Sequence, residues 1–369
     1  MPMSIRAAVL EGARQPFHIE NLILDAPRAG EVRVRLAACG VCHSDWHVAT
    51  GDTRQPFPVV CGHEGAGVID SVGEGVTALK PGDHVILNWA PACDECFYCQ
   101  HGQPNLCATF TDPLWEGTML DGTTRLHRAD GSPVYAYCGL AAFAEYTVVP
   151  HQACIPVRPD ISLVTASLVG CAVATGVGAA WYTADLKPGL SVVVIGCGGV
   201  GLNTIQGAAA RGAAPIIAVD LNPAKLALAQ QFGATHGVLS GGDALAQIRA
   251  LTGGRGADVT FEAVGTSALQ EMAFAAARPG GTVILEGLSP MGTATNLPGA
   301  VITRQEKTIK GSYYGSVDAR RDFPLFIEEA AAGRLKLDEL VSRTWKLDEI
   351  NDAYAEMLTG EVARGVIVF

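Results

Sequence analysis

The sequence predicts an α/β protein in which a doubly wound parallel sheet is joined to a β-rich domain. Three observations predict it. The chain has 369 residues, more than one hydrophobic core usually covers, so about two domains are expected. Up to Pro150 it carries short runs of period-two alternation bounded by Gly or Pro, the mark of half-buried strands. After Lys187-Pro-Gly the texture changes to apolar strands alternating with helical patterns.

In the first part, Ile5 to Leu10 and Gly30 to Ala38 alternate. Val32, Val34 and Leu36 are placed toward a core, and Glu31, Arg33 and Arg35 toward water. GAGVIDSVG, GDHVIL and AEYTVVP continue as strands. In the second part SVVVIG reads as a buried strand, the run after Gly201 as a helix, IIAVD as a strand, and PAKLALAQQFG as a helix with Pro223 in its first turn and Gly233 at its end. DVTFEAVG, SALQEMAFAAAR, TVILEG and TIKGSYYG repeat the scheme. Helices are expected around Phe323 to Ala332 and Leu347 to Leu358, then a terminal strand GVIVF. This tail is expected to rejoin the first domain, giving 1–172 with 314–369 as one domain and 173–313 as the other.

Composition narrows the function classes. Hydrophobic residues make up 49% and charged residues 17%, as in compact globular proteins. The net charge is −11 and no basic stripe interrupts it, so nucleic acid is not an expected partner. MPMSIRAAVLEGARQ falls short of a secretory apolar region. The Gly- and Ala-rich stretch from Ala166 to Trp181 is shorter than the ~20 residues a spanning helix needs. No membrane and a cytoplasmic location are expected. Eleven cysteines in such a setting point to metal more than to disulfides.

Three motifs carry chemistry. Cys93, Cys96, Cys99 and Cys107 can wrap one tetrahedral zinc as a closed structural site. Disulfides or an iron–sulfur cluster are the other uses of such a set, and zinc is preferred because the compartment is reducing and no electron-transfer motif accompanies it. Gly196, Gly198, Gly199 and Gly201 lie between a strand and a helix, where glycine lets the backbone approach a pyrophosphate at the helix N-terminus. The next strand ends at Asp220, 19 residues after Gly201, where a carboxylate suits a ribose 2′-OH and repels a 2′-phosphate; NAD is therefore favoured over NADP. Finally, GVCHSD and GHE supply Cys42 and His63, with Cys171 available far downstream. Three ligands with a fourth position open describe a catalytic metal site. Cys39, Cys61 and Cys197 read as small core or loop residues, and His84, His127, His151 and His236 show no partner pattern.

GVCHSDWH, GHEGAGVI, GDHV, the four-cysteine lobe, GCAVATGVGAA and GCGGVG, in this order across essentially the whole chain, resemble the zinc-dependent medium-chain alcohol dehydrogenases. LDGTTRLHRADGSPVYAYCGLAAFAEYTVV is similar to the long type that includes the glutathione-dependent formaldehyde dehydrogenases. The resemblance implies a Rossmann sheet with a GroES-like catalytic domain, two zinc ions per chain (one catalytic, one structural), NAD, and a homodimer or homotetramer. It implies Cys42, His63 and Cys171 as catalytic zinc ligands, Glu64 close behind the metal, and Asp45 orienting the zinc-bound His. It further implies Ser44 and His47 as a proton relay, Lys225 beside Asp220 in the cofactor site, and His43 and Arg364 as pyrophosphate contacts.

One departure bears on substrate. Glutathione-type enzymes carry two acidic residues in the loop before the zinc His, whereas VATGDTRQPFPVVC is one residue shorter and keeps only Asp52. The expected reaction is therefore reversible hydride transfer from a primary alcohol, aromatic ones included, to NAD+, giving the aldehyde. A thiol-adduct formaldehyde dehydrogenase is the alternative, and a non-catalytic dinucleotide-binding protein a third. Trp46, Phe110 and Trp115 are candidates either for an apolar substrate cleft or for plain packing.

Overall fold

A computed structural model describes all residues from Met1 to Phe369. The chain divides into two compact units. One comprises Met1–Cys171, Asp318–Glu328 and Leu337–Phe369; the other comprises Ala172–Val317 and Glu329–Lys336.

The first unit is built from β-sheet, as the alternating runs predict. Strands Met3–Leu10, His18–Leu24, Leu126–His127, Pro133–Ala136 and Val59–Val60 close into a barrel. A second sheet runs in the order 154–156, 84–87, 64–72, 31–41, 364–368, 341–346, with Tyr146–Pro150 also paired to Glu31–Val41. Val32, Val34 and Leu36 point into the core. Glu31 does so too, against expectation: it is only 8% exposed. The reason is Arg125, whose Nε donates to Glu31 Oε2 at 2.9 Å while a terminal nitrogen donates to Oε1. A bidentate guanidinium compensates the buried carboxylate.

The second unit is a six-stranded, all-parallel sheet in the order 236–239, 216–220, 192–195, 257–262, 277–285, 308–311. The order reverses between Val192–Ile195 and Ala257–Glu262, the switch point of a Rossmann sheet. Its central strands are apolar on both faces, as a sheet covered by helices requires. Asn222 caps the Pro223–Gln231 helix by accepting from the Ala224 N–H at 2.9 Å, and Pro223 starts it at no cost in hydrogen bonds. The strand His236–Leu239 and the helix Ala244–Leu251 were not foreseen, since the strand exposes three of its four residues and gives no apolar run.

The tail divides differently from the sequence expectation. Asp318–Glu328 and Leu337–Phe369 belong to the first unit, but Tyr314–Val317 and Glu329–Lys336 group with the second. The Lys336 N–H donates to Gln206 Oε1 at 2.7 Å, and Gly315 lies so close to Gly178 that a Cβ on Gly178 would come 2.7 Å from the Gly315 carbonyl oxygen. No single helix is long and apolar enough to cross a membrane, and the residues from Ala166 to Trp181 are buried.

Candidate metal centre and nucleotide site

Cys42, His63, Glu64 and Cys171 come together in the first unit, with one donor atom from each lying within 4.8 Å of the others. Cys42 is the residue before the short helix His43–Thr50, His63 and Glu64 stand where the strand Glu64–Val72 begins, and Cys171 ends the short turn Leu168–Gly170. Local chemistry explains the approach. Gly62 takes φ +91°, and a side chain there would run into the backbone of Ala142 and Phe143. Gly40 leaves room for Glu64, whose Oε2 would lie 2.0 Å from any Cβ at that position.

All four are almost closed to solvent, yet His63 Nε2 has no hydrogen-bond partner. A buried nitrogen lone pair without a donor is costly unless it meets a cation. His63 Nδ1 lies 3.0 Å from Asp45 Oδ2, at ion-pair distance although out of line for a hydrogen bond. Asp45 Oδ1 accepts the Gly62 N–H at 2.8 Å. The two thiols are close neighbours, and their interaction holds the Cys42 pKa well below its ordinary value against the effect of burial and, together with burial, the Cys171 pKa well above it. Two sulfurs, an imidazole with its second nitrogen on a carboxylate, and a neighbouring carboxylate fit zinc.

Glu64 is raised to about 7 by burial, partly relieved by the Arg364 guanidinium that pairs with it. Arg364 is itself 6% exposed. Ser44 and His47 sit on the His43–Thr50 helix with Asp45, and His43 is exposed at its start. Ser44 Oγ lies 3.7 Å from Cys42 Sγ, and the Tyr137 hydroxyl donates to the Ser44 carbonyl at 3.4 Å. The Tyr137 ring also meets His63 edge-on, with centroids 5.7 Å apart. Nothing in the sequence marked Tyr137. Trp46 stacks on Tyr354 at 5.5 Å, a packing role, and Trp115 leans toward Tyr137 at 6.5 Å.

Cys93, Cys96, Cys99 and Cys107 form the second cluster. Cys93 Sγ and Cys99 Sγ are 4.0 Å apart, Cys96 Sγ and Cys107 Sγ 3.9 Å, and all eleven cysteines are free thiols. A tetrahedron with metal–sulfur arms of ~2.3 Å has edges of ~3.8 Å, so the spacing fits one zinc and not a pair of disulfides. Cys39, Cys61 and Cys197 are buried and belong to neither set, as expected of small core residues.

In the second unit, Gly196 takes φ +94° and Gly198 precedes the Gly199–Ala210 helix. A Cβ on Gly201 would stand 1.8 Å from the Gly196 carbonyl oxygen, so the loop closes only over glycine. At Gly198, by contrast, a Cβ would meet no protein atom, which leaves that side of the loop open to a ligand. Asp220 ends its strand with Oδ2 accepting the Cys197 N–H at 2.8 Å and Oδ1 accepting the Asn222 N–H at 2.9 Å. Each oxygen keeps a second lone pair for a ribose hydroxyl. Lys225 follows on the next helix, half-buried, and its charge reaches Cys197.

Fold and donor sets together define the class of a medium-chain dehydrogenase, with candidate metal and dinucleotide sites. The comparisons with known proteins agree. The alcohol dehydrogenase GroES-like domain model matches residues 28–159, and the zinc-binding dehydrogenase model matches 199–332. The chain belongs to the zinc-dependent medium-chain alcohol dehydrogenases. It is 43% identical to an NDMA-dependent alcohol dehydrogenase of Amycolatopsis methanolica, over 99% of both chains. It is 38% identical to an S-(hydroxymethyl)glutathione dehydrogenase of Saccharomyces cerevisiae, over 99% of this chain and 96% of that one. Among solved structures it resembles benzyl alcohol dehydrogenase from Acinetobacter calcoaceticus with a TM-score of 0.94 at 30% identity, covering 100% of this chain and 99% of that one.

Proposed function

We propose that the chain oxidises primary alcohols, aromatic ones included, to aldehydes, with NAD+ taking the hydride and the reaction running in both directions. The observation that carries the proposal is the buried set Cys42, His63 and Cys171, with His63 Nε2 unpartnered and Asp45 behind the ring. A zinc ion held there would supply Lewis acidity that makes an alcohol proton labile near neutral pH. Ser44 accepts that proton at Oγ, and His47 passes it toward solvent. Asp45 fixes the His63 ring, and Tyr137 holds the Ser44 backbone. Gly196, Gly198, Gly199 and Gly201 with Asp220 and Lys225 would hold NAD, with the Asp220 carboxylate excluding a 2′-phosphate. His43 and Arg364 are proposed pyrophosphate contacts. Arg364 already neutralises Glu64.

The same reading has two zinc ions per chain, a homodimer or homotetramer, and a cytoplasmic location. The similarity to S-(hydroxymethyl)glutathione dehydrogenases favours one alternative, oxidation of a thiol adduct of formaldehyde. A panel of benzyl alcohol, aliphatic alcohols, and formaldehyde with and without glutathione or mycothiol separates them. The panel is run with NAD+ and with NADP+, each with and without NDMA. Benzyl alcohol turned over with NAD+ well ahead of the thiol adducts is the expected result; equal rates would end the preference for simple alcohols.

A further inference from the structure

His47 stands in the last turn of the His43–Thr50 helix with its side chain about four-fifths buried. Its Nδ1 lies 3.3 Å from Asp52 Oδ2, and the Thr50 hydroxyl donates to that same oxygen at 2.7 Å. The chain reaches this position by turning sharply back. Gly51 takes φ +84° and bonds to the Val48 carbonyl, after which the Thr53 N–H returns to the His47 carbonyl at 3.0 Å. Thr50 is the last residue of the helix, so the hydroxyl that steadies Asp52 is carried on the same element as His47.

The chemistry of this contact has one consistent form. Asp52 is held below the ordinary carboxylate range by the Thr50 and His47 hydrogen bonds, with the Arg14 charge adding to them. Around neutral pH it is a carboxylate and only accepts. The ring nitrogen facing it must then carry the hydrogen, which leaves His47 Nε2 with its lone pair. That nitrogen is the one left to receive a proton. Arg14 is the other charged group at this corner, and its backbone N–H bonds to the Ala49 carbonyl at 2.6 Å.

We propose that Asp52 is a positioning residue of the relay: it holds His47 as the Nδ1–H tautomer, so that Nε2 takes the proton passed on from Ser44. The inference rests on the Ser44–His47 relay proposed above. The ring gains a proton at Nε2, becomes an imidazolium facing the Asp52 carboxylate, and returns to neutral when that proton leaves to water. The arrangement repeats, on a different scaffold, the acid–histidine–hydroxyl order of hydrolytic triads. It also gives the single acidic residue of this loop a task other than binding a thiol adduct.

The test combines Asp52→Ala and Asp52→Asn with His47→Gln in the full-length, zinc-loaded protein. With benzyl alcohol and NAD+ saturating, Asp52→Ala is expected to lower kcat about tenfold near neutral pH while KM changes little. The acid limb of the kcat profile should move to lower pH, because the imidazolium loses its anion. Asp52→Asn, whose amide oxygen still accepts from Nδ1–H, should recover part of kcat without restoring the limb. In the His47→Gln background Asp52→Ala should cost nothing further. An equal loss in that background, or an unmoved limb, overturns the proposal. A second readout does not depend on turnover: 15N-histidine NMR should show His47 protonated at Nδ1 in the native protein and shifted toward Nε2–H in Asp52→Ala. An Nε2–H tautomer in the native protein overturns the proposal. Should His47→Gln leave kcat intact, the relay fails, and the NMR spectrum still decides whether Asp52 sets the tautomer.

Discussion

Asp45 Oδ2 and His63 Nδ1 lie 3.0 Å apart, with side-chain exposures of 0% and 2%. Asp45 thereby does two things, since its other oxygen holds the Gly62 N–H and with it the loop that delivers His63. Carboxylates placed behind a ligating histidine typically support metal affinity by about 10–100-fold. Asp45→Asn is expected to lose zinc from the Cys42–His63–Cys171 site at correspondingly lower chelator concentration while keeping the zinc of the cysteine lobe. Chelator competition with two resolved zinc populations measures this, and equal affinity in the two proteins would remove Asp45 from the role.

Arg364 is the ion-pair partner of the buried Glu64. Removing one member of a buried pair leaves the other uncompensated, at about 3–5 kcal/mol. Arg364→Met should therefore lower the unfolding free energy by an amount of that order, and Glu64→Gln in the same chain should restore most of it. Denaturant titration of the three variants checks the cycle. A double variant no more stable than Arg364→Met would mean that the guanidinium acts by packing.

Glu286 predicts a pH dependence of stability. Its Oε1 is buried without a partner, and its Oε2 lies 2.9 Å from Thr204 Oγ, which also lies 3.1 Å from the Val200 carbonyl. One hydroxyl proton cannot serve both oxygens; a protonated Glu286 donates to Thr204 and leaves Thr204 to donate to Val200. Burial, with the nearby Glu262 adding to it, pushes the Glu286 pKa well up. Above the ordinary pKa of ~4.3 the unfolded chain releases this proton and the folded chain keeps it, so stability falls as pH rises toward the folded pKa. Glu286→Gln carries no such proton. It is expected to match the native protein near pH 4.5 and to exceed it at pH 8, each kcal/mol appearing as about 2–4 °C in Tm. A Tm difference independent of pH would rule out the buried proton.

What the sequence showed and what it hid follow from the range of the interactions. The glycine loop and Asp220 were legible because strand, turn and helix are contiguous, so spacing alone fixes their geometry. The alternation in Glu31–Val41 located that strand, yet period alone put Glu31 in water, since its partner Arg125 is 94 residues away. Tyr137 beside His63 was invisible for the same reason. Asp52 was noticed as a surviving acid of the loop, but its place against His47 depends on the left-handed turn at Gly51. The tail was read as one piece because nothing local marks Glu329–Lys336 as belonging with Gln206 and Gln231.

The two cysteine sets should fail differently. Cys171→Ser removes one ligand from a buried site on an otherwise complete fold, so turnover should vanish with little change in Tm. Cys96→Ser opens the lobe of 93–107, whose short helices Phe97–Gln100 and Pro104–Leu106 have no buried apolar core of their own beyond the cysteines and a few flanking residues. Metal binding there is folding free energy. Metal analysis should return two zinc ions in the native protein and about one in each variant, with the larger loss of Tm in Cys96→Ser. The reverse order of stabilities would exchange the two roles.

The glycines of the nucleotide loop permit a sharper separation of fold from ligand. Gly201→Ala would drive a methyl group to 1.8 Å from the Gly196 carbonyl oxygen, a backbone atom that cannot step aside without opening the strand-to-helix turn. That variant should lose both Tm and NAD affinity. Gly198→Ala meets nothing within 4 Å, and Gly198 has φ −82°, which any residue tolerates. Its Tm should be unchanged in the absence of nucleotide. If the pyrophosphate lies against this backbone, the methyl group displaces it, and NADH binding followed by fluorescence should weaken about tenfold or more, 1.4 kcal/mol per decade. Undiminished binding by Gly198→Ala would place the pyrophosphate elsewhere, whereas a lowered Tm in that variant would show that the open side of the loop is needed by the protein itself.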